Sequence, residues 1–392
     1  MVQIDSTITP RSVLVITFPD CMGGAANFNR NIINYSTLKK FFYIKVILLR
    51  SREDKRQEYT DIIQADEVCR FNYSSYENQY YVCKRLNNLI GNHPGCIVTD
   101  NSITLNAVSL GKNPKKILYL VHDYFYISDA LQYEPVIDAA IAHSTFFKDI
   151  LCAAMPRQYS SKTHFIPYGV QQPQKVEEKN ANGISLVFLG RLVEEKGVLL
   201  LHGIEALLSV KGIPSKWTII GSGPCETALR LQWKDNKNIN FANPNTTGEV
   251  YSILNKQDVL VLPTTFEGTP VSILEALANG IVPVVSDLPG GIRDIVNYSI
   301  GYRCQPYDLS QFAAAIEELY KDKDKLKQLQ ANGIALAKKN YDIVKAADAY
   351  FEFFIAQSSI KKEKYFPAPF FSRLDRKMYP SGLIYFIRKH KA

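Results

Sequence analysis

The sequence lacks any run of about 18 uncharged apolar residues, which is the length that a transmembrane helix needs. Its start, MVQIDSTITPRSVLVITFPD, has no charged n-region, no long apolar stretch and no cleavage site. We therefore expect no transmembrane helix and no signal peptide, and we interpret this start as a leader into a first strand at residues 13–18.

Cysteine pairs and metal-ligand spacings are also missing. The seven cysteines are scattered, none forms a C-x-x-C pair, and an odd number of scattered cysteines suits reduced thiols in the cytosol. The histidines lack the spacing of zinc ligands, and no G-x-S-x-G elbow occurs. These absences predict a cytoplasmic protein without a disulfide framework, a structural zinc site or a hydrolase elbow.

One D-x-D pattern, Asp322-Lys323-Asp324, has the spacing that metal-dependent transferases of another fold use. It lies inside the charge run KDKDKLK at a predicted helix start, away from any strand end. We interpret it as a solvated charge run and expect no metal ion.

The positive charge is concentrated in one segment. The net charge is +8, and residues 361–392 hold nine Lys/Arg against Glu363 and Asp375, a net +7 that leaves +1 for the rest. A nucleic-acid-binding protein would be basic over its binding domain, so we expect no nucleic-acid partner. The same segment holds seven aromatic residues. Two interpretations stay open for it: packing against the first domain, which we favour for the aromatics, or peripheral contact with the anionic inner face of a membrane.

The length of 392 residues exceeds one ordinary core and favours two domains. Short apolar β-rich runs alternate with helical stretches throughout, which is typical of parallel α/β sheets covered on both faces. The polar stretch at 169–183 carries Pro and Gly without periodicity and marks a linker. We predict a first domain at 1–170, a linker at 171–183, a second domain at 184–341, and a helix with the basic aromatic segment at 342–392.

Both halves are predicted to be doubly wound. Two such domains facing each other would place a central cleft between their strand carboxyl ends, where ligands bind in these folds. The predicted strands are 13–18, 44–49, 96–99, 117–121, 137–142, 164–167, 184–189, 217–221, 238–242, 258–262, 282–285 and 300–303. The predicted helices are 25–38, 76–91, 145–154, 196–210, 224–234, 248–256, 270–279, 308–319, 323–339 and 342–357.

Two loops of the second half have residue types that suit phosphate binding. Gly190-Arg191 follows the strand ISLVFL, and Lys196 comes five residues later. Arg offers a bidentate fork and Lys a point charge to a diphosphate. The next strand ends in Gly221-Ser222-Gly223, where glycine lets a backbone approach a ligand. Each loop alone also fits an ordinary turn.

The segment PTTFEGTPVSILEALANG (263–280) carries the strongest signal. Thr269 is predicted as the N-cap and Pro270 as the first residue of a helix. The free N–H groups and positive dipole end of such a helix form an anion site. Glu275, in an otherwise apolar stretch, either faces water or accepts hydrogen bonds from the paired hydroxyls of a ligand.

The combination of motifs resembles the retaining family-4 glycosyltransferases, which have the GT-B fold of two Rossmann-like domains. GRLVEEKG, IIGSGP and FEGTPVSILEALANGIVPVVSDLPGG occur in the family's order and cover most of 184–297. Glu267 and Glu275 have seven residues between them, which matches the family's E-x7-E signature. The resemblance implies a nucleotide-diphosphate sugar as donor and no metal cofactor.

The resemblance also implies roles for individual residues. Arg191 and Lys196 would neutralise the donor diphosphate and stabilise the leaving group. Glu275 would hold the ribose hydroxyls and Glu267 the sugar hydroxyls. Gly190, Gly221, Gly223, Gly268, Thr269 and Pro270 would complete the donor site through their backbone.

Two features of the first half fit the same family. Gly23-Gly24 follows the first strand and matches the family's glycine pair, whose N–H groups would approach the phosphate or the acceptor. His122 follows the strand ILYLV and resembles the histidine that lines the donor-sugar pocket. On local grounds both are equally well explained as ordinary turn residues.

Two departures from the family pattern concern substrate specificity. Tyr168 stands where the family usually has Asn, and Arg293-Asp294 replaces the more usual Pro-Glu. We expect a retaining, metal-independent transferase acting on a glycan or lipid-linked acceptor in surface polysaccharide or glycoconjugate synthesis. A non-catalytic nucleotide- or glycan-binding protein and a nucleotide-sugar epimerase of the same fold are the alternatives.

Overall fold

A computed structural model describes residues 11–21, 23–111, 113–155, 161–173, 183–244, 246–360, 362, 371–372 and 374–389. The chain divides into two compact units. The first unit comprises residues 1–142, 147–166 and 344–392, and the second comprises residues 143–146 and 167–343. The chain thus returns to the first unit after completing the second, one residue after Ile343.

The first unit is built on a seven-stranded parallel sheet with the order β3-β2-β1-β4-β5-β6-β7. The inner strands are almost continuously apolar and buried, because helices cover both faces of a parallel sheet. Its strands are β1 Ser12–Pro19, β2 Phe42–Ser51, β3 Glu67–Tyr73, β4 Gly95–Thr99, β5 Lys116–Val121, β6 Ala139–Ala142 and β7 Thr163–Phe165.

Helices complete the first unit. Five of them connect the strands, and two more come from the part of the chain that follows the second unit. They are α1 Gly24–Tyr35, α2 Gln79–Ile90, α3 Ser102–Gly111, α4 Tyr124–Gln132 and α5 Thr145–Ala154, and later in the chain α13 Ile343–Ser358 and α14 Ser381–Lys389.

The second unit contains a six-stranded parallel sheet with the order β10-β9-β8-β11-β12-β13. Its strands are β8 Ile184–Leu189, β9 Ser215–Ile220, β10 Ile239–Ala242, β11 Val259–Leu262, β12 Val282–Ser286 and β13 Tyr302–Cys304. Its helices are α6 Leu201–Val210, α7 Glu226–Gln232, α8 Thr247–Leu254, α9 Val271–Ala278, α10 Gly291–Ile295, α11 Leu309–Lys321 and α12 Lys323–Asn340.

The predicted fold class, two doubly wound parallel sheets, is confirmed. In each sheet the strand order reverses once, between β1 and β4 and between β8 and β11. Ligands of doubly wound sheets bind outside the strand carboxyl ends at such a reversal. Gly23 follows β1 and Gly190 follows β8, so the candidate residues start at these two points.

Several elements differ from the sequence-based expectation. The edge strand β3 is missing from the prediction, because its side chains are largely exposed and it lacks an apolar run. Helices α3, α4, α10 and α14 are also additional. Of the predicted linker at 171–183, residues 174–182 lie outside the described part. Val170, which precedes it, forms a bridge with Asp342.

Among the described residues, no helix is long and apolar enough to cross a membrane.

Helix α13 is tied to the first unit by one carboxylate. Asp348 accepts hydrogen bonds from the Ser36 hydroxyl at 2.8 Å, the Thr37 N–H at 2.7 Å and the Thr37 hydroxyl at 2.8 Å. This one carboxylate thus accepts hydrogen bonds from three donors that lie just after the carboxyl end of α1.

We predict that Asp348→Ala lowers the free energy of unfolding of the first unit by about 1–3 kcal/mol, because it strands these donors. Glu352→Ala is the matched control, since Glu352 is an exposed carboxylate on the same helix; its effect should stay within about 0.5 kcal/mol. Thermal melts under one buffer condition compare the two. Equal melting temperatures for both variants would show that the Asp348 contacts contribute nothing.

Candidate functional site

The candidate site of the second unit lies at the carboxyl edge of four neighbouring strands, β9, β8, β11 and β12. The loop that follows each strand contains glycine, and the loops bond to one another through their backbones. The contacts described next show where glycine is required for this arrangement.

The loops after β8 and β9 approach each other too closely for side chains. The Gly190 N–H donates to the Ile220 carbonyl at 3.0 Å. A Cβ atom at Gly221, whose φ is 138°, would lie 1.9 Å from the Gly190 carbonyl oxygen. A Cβ atom at Gly223 would lie 2.5 Å from the Leu192 oxygen. Gly221 and Gly223 are therefore required by the packing of the two loops.

The loop after β8 is fastened in the same way to the loop after β11. Gly197 has the left-handed φ of 66°, and a Cβ atom there would lie 1.9 Å from the Pro263 carbonyl oxygen. The Thr265 N–H donates to the Glu195 carbonyl at 2.8 Å. These contacts on either side of Lys196 fix the position of its backbone.

The loop after β12 completes the network. The Gly291 N–H donates to the Gly268 carbonyl at 3.0 Å, and a Cβ atom at Gly291 would lie 2.7 Å from Cα of Thr269. The Thr269 hydroxyl is buried and has no hydrogen-bond partner among the described residues. A buried hydroxyl without a partner is costly in a folded protein unless a ligand or water supplies one.

The structure corrects the predicted start of the helix that follows. Helix α9 begins at Val271, Pro270 occupies the N-cap position with ψ 105°, and no side chain caps the helix. Thr269 is therefore not the N-cap and Pro270 is not the first helical residue. The reason is the contact with Gly291, which holds residues 268 and 269 in the loop. The first N–H groups of α9 nevertheless have no acceptor within the helix.

The charged side chains of these loops include Lys196, Glu267 and Arg191, together with the exposed Glu194 and Glu195. The Lys196 ammonium donates to the Glu267 carboxylate, and both groups are largely buried. Arg191 is exposed and has no ion-pair or hydrogen-bond partner among the described residues. Lys196 and Glu267 thus balance each other, and Arg191 is a cation available to an anion.

Glu275 lies in the second turn of α9, between buried apolar neighbours. Part of its side chain reaches the surface, yet protein atoms surround its carboxyl group densely. Burial raises the pKa of this carboxyl from 4.5 to about 7. No described group donates a hydrogen bond to it. Both possibilities left by the sequence, a carboxylate that faces water and one that accepts hydrogen bonds from a ligand, are compatible with this partly exposed position.

In the first unit, the candidate residues follow β1 and β5. A Cβ atom at Gly23 or Gly24 would meet no atom within 4 Å, so protein packing does not require glycine there. His122 is buried, and its Nε2 lies 3.5 Å from Oδ2 of Asp100. Its ring makes edge contacts with Phe28 and Tyr126.

Asp100 is absent from the sequence-based candidates. Its signal is its position directly after β4, the strand across the reversal from β1. That position becomes informative only when the strand order is known.

The D-x-D pattern has a structural role. Asp322 accepts a hydrogen bond from the Lys325 N–H and caps helix α12. Over the ranges that the structure describes, no three His, Cys, Asp or Glu side chains group as metal ligands would.

The two departures from the family pattern have defined contacts within the second unit. The ring of Tyr168 stacks on His143 with 4.3 Å between centroids. Asp294 accepts hydrogen bonds from the N–H and the hydroxyl of Thr145 at 2.6 and 2.8 Å. Both residues therefore hold the segment 143–146 against this unit.

Comparison with known proteins agrees with this geometry. Residues 171–336 match the family model described as glycosyl transferases group 1. WcaL of Escherichia coli K12, named provisionally as a colanic acid biosynthesis glycosyltransferase, is 34% identical over 155 residues, 36% of each chain. The UDP-Gal:alpha-D-GlcNAc-diphosphoundecaprenol alpha-1,3-galactosyltransferase of Escherichia coli is 26% identical over 154 residues, 38% of this chain and 40% of that protein. The matches thus span well under half the length of these relatives.

A solved structure extends the similarity to most of the chain. The crystal structure of HepE from Anabaena in complex with UDP and glucose superposes with a TM-score of 0.70, covering 88% of this chain and 100% of that chain. The sequence identity of 15% makes this a similarity of fold alone. Together these findings confirm the resemblance of this chain to glycosyltransferases, which residues 171–336 carry, and they confirm the GT-B fold.

Proposed function

We propose that the chain is a retaining, metal-independent glycosyltransferase that moves a sugar from a nucleotide-diphosphate sugar to a glycan or lipid-linked acceptor. The observation that carries the proposal is the backbone-bonded loop cluster at 190–291, which leaves Arg191, the Thr269 hydroxyl and the Glu275 carboxyl without partners among the described residues. A donor with a diphosphate and a ribose would supply a partner to each of them.

The diphosphate would bind beside the loop after β8. Arg191 provides a guanidinium fork that is already free of protein carboxylates, and Lys196 adds a second cation. The N–H groups of Gly268 and of the first turn of α9 add dipoles directed at an anion. The backbone at Gly190, Gly221 and Gly223 would contact the donor, and Pro270 would lie beside it at the N-cap position of α9.

The ribose would bind Glu275. A ribose diol offers two O–H donors side by side, and a carboxylate that lacks donors is the acceptor that gains most from them. The binding of such a diol would favour the ionised form and bring the pKa down from about 7.

Glu267 would accept hydrogen bonds from the donor sugar. In the free protein its charge is balanced by Lys196. When the donor binds, the diphosphate would become a second anionic partner of Lys196. The Glu267 carboxylate could then accept hydrogen bonds from sugar hydroxyls. This pairing keeps both charges satisfied before the substrate arrives.

The chemistry requires stabilisation of a departing anion. The bond between the anomeric carbon and the phosphate oxygen breaks, and the nucleoside diphosphate leaves with the electron pair. The acceptor hydroxyl forms the new bond on the same face of the sugar, and its proton passes to the departing phosphate oxygen. Arg191, Lys196 and the α9 N–H groups would stabilise the developing charge without a metal ion, and His122 would line the sugar pocket.

The names of the relatives support a role in surface polysaccharide synthesis. One is named for colanic acid, and the other transfers galactose from UDP-Gal to a diphosphoundecaprenol-linked sugar. The unfilled space around Gly23 and Gly24 leaves room for a substrate group in the first unit.

We predict that UDP-glucose or another nucleotide sugar raises the melting temperature of the protein and supports transfer to a diphospholipid-linked sugar acceptor. Arg191→Ala should weaken donor binding by roughly 10- to 100-fold, the loss of a charge-assisted hydrogen bond. Lys216→Ala is the matched control, because Lys216 is an exposed residue of β9 outside the carboxyl-edge loops. Calorimetric titration and a radiolabelled transfer assay measure the two effects. Full transfer by a folded Arg191→Ala variant, or a donor panel that neither binds nor reacts, would contradict the proposal.

We predict that Glu275→Gln stabilises the free protein at pH 8. Because the folded pKa of about 7 lies above the ordinary 4.5, the folded state keeps a proton that the unfolded state has released. The contribution of this carboxyl to the free energy of unfolding is therefore greatest below pH 4.5 and falls as the pH rises to 7. At pH 8 the ionised carboxylate costs the folded state about 3 kcal/mol. The amide removes this penalty.

Melting temperatures at pH 5 and pH 8 test this prediction. The stabilisation by Glu275→Gln should be large at pH 8 and small at pH 5. Asp235→Asn, which changes an exposed carboxylate of the second unit, should show no such difference. A Glu275→Gln variant no more stable than the parent at pH 8 would mean that burial does not penalise this carboxylate.

A further inference from the structure

The segment 371–389 is fixed to the first unit by a carboxylate. Asp375 accepts a hydrogen bond from the Gln79 N–H at 2.7 Å, at the start of α2, and pairs with Arg388 at 2.7 Å. Arg388 also donates to the Glu77 carbonyl at 2.6 Å. Asn78 donates to the backbone carbonyls of Arg376 and Tyr379. The segment therefore has a defined position on the first unit.

One face of the segment points into the protein. Ile384 is fully buried, and the ring of Tyr385 packs edge-on against Tyr76. The ring of Phe371 packs in the same way against Tyr80. Two of the seven aromatic residues counted in 361–392 are thus explained by packing against the first unit.

Other apolar side chains of the segment are exposed. Leu383 is 50% exposed and Phe386 is 62% exposed, and their spacing of three residues places them on one side of α14. Met378 is 70% exposed and Leu374 is 39% exposed just before the helix. Large apolar side chains gathered on a short surface segment mark an interaction site.

The exposed charge of this segment is positive. Its one carboxylate, Asp375, is buried and neutralised by Arg388. Arg376, Lys377 and Lys389 are exposed, and Lys389 follows Phe386 by three residues on the helix. A partner must therefore be both apolar and anionic.

We propose that the surface formed by Leu374, Arg376, Lys377, Met378, Leu383, Phe386 and Lys389 docks the protein on an anionic lipid bilayer. Apolar side chains would enter the boundary between head groups and acyl chains, while the cations meet lipid phosphates, as in interfacial amphipathic helices. The packing and membrane interpretations of the basic aromatic segment are then compatible, because they concern different side chains. The proposal holds whether or not the transfer reaction does.

Charge complementarity favours a lipid surface over a protein. The aliphatic and aromatic side chains alternate with cations along the segment, and a bilayer offers both an apolar interior and a continuous anionic layer. A fluid surface also accepts such an alternation without matched pockets.

Vesicle flotation of the full-length protein tests the proposal. We expect binding to vesicles of phosphatidylglycerol and phosphatidylcholine, and little binding to phosphatidylcholine alone or in high salt. Arg376→Ala with Lys377→Ala should lower the partition coefficient by about fivefold for each cation. Met378→Glu with Leu383→Glu should abolish flotation.

The matched control is Val210→Glu with Leu231→Glu, which places two acids on exposed apolar residues of the second unit. This control should float like the parent, and melting temperatures confirm that all variants are folded. Unchanged flotation of folded Met378→Glu/Leu383→Glu would overturn the proposal. So would a parent that binds no vesicle but self-associates with rising concentration, because the surface would then serve a protein contact. Donor binding by the second unit, measured on the same samples, shows separately whether the proposed function holds.

Discussion

The candidate donor site depends on backbones that approach one another too closely to admit a Cβ atom. At Gly197, Gly221, Gly223 and Gly291 a methyl group would lie within 2.7 Å of a neighbouring loop atom. Four loops from adjacent strands are thereby held together as one rigid cluster. A site built this way is preorganised, so the binding of a donor would not need to order the loops. The positions of the charged side chains depend on these joined loop backbones.

In the free protein, some of these charged side chains have no partner among the described residues. Lys196 and Glu267 balance each other, whereas Arg191 has no described partner and Glu275 is buried with a pKa of about 7. A buried carboxyl without donors lowers stability at neutral pH and is retained where function needs it. In the proposed complex, a diol would supply the donors that Glu275 lacks, and a diphosphate would pair with the exposed Arg191.

The sequence is sufficient for much of the fold. Strand β8 is predicted at its observed bounds, because a parallel strand buried on both faces appears as an unbroken apolar run. The edge strand β3 escapes prediction because its exposed side chains remove that signal. Thr269 and Pro270 follow a strong capping pattern that a tertiary contact with Gly291 overrides. Asp100 could not be identified as a candidate from the sequence, because its position becomes informative only when the strand order is known. Nothing local could show that Glu275 lacks donors, since burial and partners depend on the whole unit.

Proton release on donor binding tests the central claim most directly. Titration of an intact nucleotide sugar at pH 6, repeated in two buffers of different ionisation enthalpy, gives the number of protons released; the diphosphate diester itself does not titrate there. If the ribose binds the Glu275 carboxylate, the parent should release about 0.9 proton per site, and Glu275→Gln should release none. Binding without proton release by the parent, or with equal release by Glu275→Gln, would contradict the account.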